Sequence, residues 1–211
     1  MNSLAQPSPA MMSWLQRNRM VGWSAIASGL LLIIVGEKPY LPSSWSLVPL
    51  VGALALYLGM IPIVRWMTQG LAAREGGDVG RVIRVAEIAG LAGAGVATVT
   101  ALLALLRWLP AVPAQILDTS ALGVIGLWLI VVNALAFRLR LVNRALAVLG
   151  VLVGVGWLLA ALIMWAELLT GARGSLVSAL ENVRLLTSYV GSACYLIWAV
   201  WLGIWLLIRK R

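Results

Sequence analysis

Two polar side chains stand inside strongly apolar stretches, and they are the first candidates for chemistry in this sequence. Glu87 lies in RVIRVAEIAGLAGAG (residues 81–95), where positions 87, 90 and 94 share one helix face, so the carboxylate stands beside Gly90 and Ala94. Two readings are open: a structural ion pair with Arg84, one turn earlier, or with Arg144 of a second arginine-to-glycine stretch, and a proton or cation site in a carrier. Asn133 falls in line with Gly126 and Arg140 at seven-residue steps, and a buried amide in hydrocarbon needs partners. An interhelical hydrogen bond or a ligand contact would supply them. A third feature is aromatic: Trp198, Trp201 and Trp205 recur at spacings of three and four, on one face with Gly191 and Cys194. Such a stripe packs on neighbouring helices or lipid, on a partner subunit, or on a flat apolar ligand.

The residues that are missing narrow the chemistry further. There is no histidine, which removes the commonest general base, zinc ligand and haem ligand. A single cysteine, Cys194, excludes an internal disulfide and any multi-cysteine metal site. The acids Asp118, Glu167 and Glu181 lack the spacing of a cation-binding loop, and Arg107 could pair with Asp118 across a proline turn or extend to lipid headgroups. No phosphate-binding glycine loop or nucleophile elbow is present. The expectation is therefore a protein with no catalytic residue, no metal and no cofactor, and not an enzyme.

The elements that must carry these residues are membrane helices. Of 211 residues, 62% are hydrophobic and 11% charged, with a mean hydropathy of +0.99, whereas a soluble domain has about a quarter charged residues. A spanning helix uses about 20 residues, so six spans with short connections account for nearly the whole chain. Residues 1–19 read as a polar tail and a basic approach to the membrane. The spans are expected at about 20–36, 45–66, 82–108, 121–137, 145–165 and 185–208, as one all-α, six-helix transmembrane domain. Pro62 should loosen the end of the second span, Pro110 and Pro113 should mark a turn, and Ser178 to Glu181 has the form of a capping box. Small residues at four-residue spacing, Ala86, Gly90 and Ala94, with Gly150 and Gly154 later, predict close helix contact.

Charge fixes the expected orientation. The net charge is +9, and twelve of the sixteen Lys and Arg fall on one side of the six-span arrangement. That side is cytoplasmic by the positive-inside rule, so both termini are expected in the cytoplasm. The basic clusters adjoin apolar runs and suit anionic headgroups rather than nucleic acid.

The stretch LGVIGLWLIVVNALAFRLRLVNRALAVLGVLVGVGWLL, residues 122–159, resembles the fourth and fifth spans of uncharacterised six-span bacterial membrane proteins, grouped as domains of unknown function. RNRMVGWSAIASGLLLIIVG, residues 17–36, is similar to their first span. The resemblance implies a bacterial plasma (inner) membrane protein of six helices and assigns no catalytic residue. Together these features give a first expectation of a non-catalytic membrane subunit or scaffold, holding a protein partner or a second copy within the bilayer. The alternative is a small carrier or ligand-binding membrane protein for an apolar or weakly charged solute, with Glu87 and Asn133 in its pathway.

Overall fold

The computed structural model describes the backbone of residues 9–35, 47–75, 77–170 and 175–208, and the side chains of most of these from residue 16 onward. They form six helices: α1 (Pro9–Val35), α2 (Leu47–Ala72), α3 (Gly77–Leu105), α4 (Ala111–Arg138), α5 (Arg144–Thr170) and α6 (Ser175–Ile208). Five of them, α2 to α6, are long and apolar enough to cross a membrane. The described side chains of α1 begin with Gln16, Arg17, Asn18 and Arg19, which leaves a shorter apolar stretch behind them.

Each helix packs on the next in sequence, and α6 returns to α1, so the six close into a ring; α2 and α4 also touch across its interior. Neighbours run antiparallel. At the α4–α5 seam Gly123 faces Ala161, Gly126 faces Gly154, and Asn133 faces Gly150. On the α1–α6 seam Gly22 faces Gly203 while Gly29 faces Ala199. A Cβ on Gly126 would stand 2.6 Å from the carbonyl oxygen of Gly154, so the two backbones are in contact there. In lipid, where burying apolar surface drives little helix association, such close packing is the main source of cohesion.

Several boundaries differ from those expected, each for a physical reason. The second helix continues ten residues past Pro62, because a membrane helix tolerates the lost hydrogen bond where its neighbours pack around it. Pro110 is the N-cap of α4 and Pro113 lies in its first turn, where the missing N–H has no helical partner to lose. The fourth helix therefore starts at Ala111 and not near residue 121, which brings Asp118 inside it. The amphiphilic stretch from Glu167 to Arg184 reads as either a short interfacial helix or an extended start to the last span, and from Ser175 it is the latter, since α6 runs unbroken to Ile208.

The turns at the two ends of the ring differ. Leu141 and Val142 of the α4–α5 turn are buried, Leu141 packs on Gly70 of α2, and Arg74 of the α2–α3 turn donates to the Leu139 carbonyl at 2.8 Å. The start of α1 joins this end, since the Trp66 indole donates to Asn18 Oδ1 at 3.0 Å. Both α3 and α4 close with a left-handed arginine, Arg107 at φ 58° and Arg140 at φ 51°, followed by the backbone bonds Trp108 N–H to Leu103 O and Leu141 N–H to Ala136 O. That closure usually takes glycine.

The ring is filled over half its length. Met60, Ile63, Val64 and Met67 of α2, Ile125, Trp128, Leu129 and Val132 of α4, and Tyr195, Trp198, Ala199 and Leu202 of α6 are all buried toward the end that carries the α2–α3 and α4–α5 turns. The other half is hollow.

Candidate functional site: a cavity in the helix ring

The hollow half holds a cavity of about 670 Å3 to which all six helices contribute, from Leu32 on α1 to Ser192 on α6. Its size is that of a small-molecule site. The walls are mainly apolar, with Leu50, Ala53 and Leu56 from α2, Ala101 and Ala104 from α3, and Trp157 and Ala160 from α5. Among them stand polar groups from different helices.

Asp118 is the most distinctive of these. The hydroxyl of Tyr57 donates to Asp118 Oδ1 at 2.6 Å, joining α2 to α4 past the intervening α3. Tyr57 is only 2% exposed, and both residues line the cavity. Among the described residues no ion pair includes Asp118. Arg107 lines the same cavity and is exposed, and no ion pair among the described residues joins it to Asp118, which leaves the other alternative, extension toward headgroups.

On the facing helices Arg184 is held between two carboxylates. Its Nε lies 3.4 Å from Glu167 Oε2, and its Nη2 lies 3.8 Å from Glu181 Oε1. The Glu167–Arg184 contact is shielded, with the two side chains 18% and 14% exposed. It is a charge contact without hydrogen-bond alignment, and Glu167 Oε1 is buried without a partner. Trp157, Tyr195 and Trp198 continue inward as an aromatic ladder, with ring centroids 5.0 and 5.8 Å apart. Beside its middle ring Ser28 donates to the Ala25 carbonyl, so the Tyr195 hydroxyl donates to Ser28, at 2.9 Å.

The side chains singled out by sequence lie elsewhere. Glu87, half-buried in the first half of α3, does not line the cavity, and the ion pairs among the described residues do not join it to Arg84 or Arg144. Both arginines are exposed, and Arg144 instead sits 5.7 Å above the ring of Phe137. Asn133 is fully buried against Gly150, but its amide donates within its own helix, to Leu129 O at 2.9 Å, and Oδ1 has no partner. It makes no interhelical hydrogen bond and does not reach the cavity. The tryptophan stripe is divided: Trp198 is in the core, Trp205 packs edge-on against Trp66 of α2 at 6.3 Å, and Trp201 faces outward. Three residues spaced by three and four share a face about 60° wide, with position 201 at one edge, and ring closure turns the opposite edge, with Trp198, inward.

Tyr57 carried no signal in the sequence, being one aromatic in an apolar run. Asp118 was visible but was placed before its helix. The informative signal was Asp118 eight residues after Pro110, since proline at a helix start places the following acid two turns inside. Among the described residues no cluster of three acids or cysteines could hold a metal ion. No family model, no curated protein and no solved structure matches the chain.

Proposed function

We propose that this chain is a multi-pass membrane protein that binds a small, mainly apolar solute in the cavity of its helix ring. The observation that carries the reading is the contrast between the two halves of one ring. The half toward the α2–α3 and α4–α5 turns is filled by large side chains, while the other is left open at about 670 Å3 with hydrogen-bonding groups on its walls. A bundle that serves only to hold partner helices has no use for such a space, because voids cost packing energy. The polar candidates for the solute site are accordingly Tyr57 and Asp118 rather than Glu87 and Asn133.

Orientation follows from charge. The filled end carries Arg74, Arg81, Arg84, Arg138, Arg140 and Arg144, and the positive-inside rule puts that end in the cytoplasm of a bacterial plasma membrane. With α1 as a sixth span both termini are cytoplasmic, and the cavity belongs to the outer half of the bilayer. We assign no catalytic step.

Native mass spectrometry of protein extracted into nanodiscs tests this reading. The expected result is a reproducible small-molecule mass on the wild type that disappears in Ala160→Trp, which fills the cavity from α5. A stoichiometric protein partner with no small molecule would instead support the subunit or scaffold reading, and would direct attention to outward-facing Trp201.

A further inference from the structure

We infer that the solute taken by this cavity is an organic cation with an apolar body, its ammonium or guanidinium group seated at Asp118. The inference rests on the cavity being a solute site and adds the chemical class. Asp118 accepts a hydrogen bond from Tyr57, which is neutral, and no ion pair among the described residues compensates its charge. The guanidinium of Arg184 is already shared between Glu167 and Glu181. Arg107 is exposed and forms no ion pair among the described residues. The described cavity groups and their ion-pair partners thus offer three carboxylates, Asp118, Glu167 and Glu181, to two guanidiniums, Arg107 and Arg184. An acid in an apolar wall gains from a bound cation what it lacks in solvation.

The rest of the wall selects the kind of cation. A hard metal ion needs six or more oxygen ligands, and among the described residues no three acids or cysteines gather around Asp118 to supply them. Leu50, Leu56, Ala101 and Leu122 instead offer contact to an aliphatic or aryl body, and the indole of Trp157 adds an aromatic surface. Asp118 and its apolar surroundings therefore suit one molecule with two different ends.

Three probes on one skeleton test this: 4-phenylbutylamine, 4-phenylbutanol and 4-phenylbutyrate, a cation, a neutral molecule and an anion. Binding of each is measured by equilibrium dialysis on the full chain in nanodiscs, with empty nanodiscs of the same lipid subtracted. The expected order is amine well above alcohol and acid, by at least about tenfold, the scale on which a shielded charge pair affects binding. Asp118→Asn keeps an acceptor for Tyr57 and should erase that preference while still binding the alcohol; gel filtration and retained alcohol binding show that it is folded. Asp118→Glu keeps the charge and should retain the preference. Equal binding of all three probes, or an amine preference that survives Asp118→Asn, would overturn the cation inference and leave the solute-site reading standing. Binding of none of them to the wild type, with no small-molecule mass in the native spectrum, would overturn both.

Discussion

At the scale of single residues, the buried polar groups divide by whether they have a partner. Asn133 is fully buried with one amide proton returned to its own helix and an unpartnered oxygen. Leaving a buried acceptor unpaired costs about 1–3 kcal/mol, and replacing it by an apolar group of the same shape is close to neutral. Asn133→Leu is branched at the same carbon, so we expect it to lie within about 1 kcal/mol of wild type or to be stabilised. A loss of several degrees in thermal unfolding in detergent would show instead that the amide bonds across helices. Tyr57 and Asp118 are the contrasting case, two groups from nonadjacent helices joined by a 2.6 Å bond at a cavity wall. Neither spacing nor composition marks that pair, because residues 61 positions apart meet only when the ring has closed.

At the scale of elements, α6 shows how one helix serves two surroundings. Its line Gly191, Tyr195, Trp198 and Leu202 faces the ring, and Gly191 meets Trp157 while Trp198 stacks on Tyr195. Trp201 lies outside this line at 38% exposed. Trp198→Ala should therefore cost about 3–5 kcal/mol, as for a buried aromatic, and Trp201→Ala little. Unfolding of both variants in the same detergent checks this, and equal effects would contradict the division of the stripe. The two arginine-to-glycine stretches, Arg84 to Gly90 and Arg144 to Gly150, are less alike than their sequences suggest. Gly90 and Gly150 occupy matching positions after an arginine, yet Gly90 makes room for Trp128 of the following helix while Gly150 makes room for Asn133 of the preceding one. The arginine-to-glycine pattern reports a need for small residues at helix contacts, without saying which neighbour approaches.

At the scale of the whole molecule, the ring has a packed, basic end and an open end, and the reading of function depends on which faces out. Single cysteines at Ala73, in the α2–α3 turn, and at Trp108, in the α3–α4 turn, report it when Cys194 is replaced by alanine. A membrane-impermeant maleimide applied to intact spheroplasts should label the residue at 108 and reach the one at 73 only after permeabilisation. An N-terminal tag protected in the same way would make α1 the sixth span. The reverse pattern at 73 and 108 would place the cavity on the cytoplasmic side and contradict the orientation proposed from charge.

Composition and hydropathy determined by themselves that this chain is all-α and built of long apolar helices, because in hydrocarbon a backbone without water must satisfy its own hydrogen bonds. The same logic located the glycine faces, since close helix approach in lipid requires small side chains wherever it occurs. Tertiary structure alone decided what those helices enclose. A cavity is the difference between a ring's interior volume and the side chains that fill it, and no local pattern encodes that difference. Ring closure left Glu87 and Asn133 outside the cavity, turned Trp198 inward, and joined Tyr57 to Asp118 at its wall.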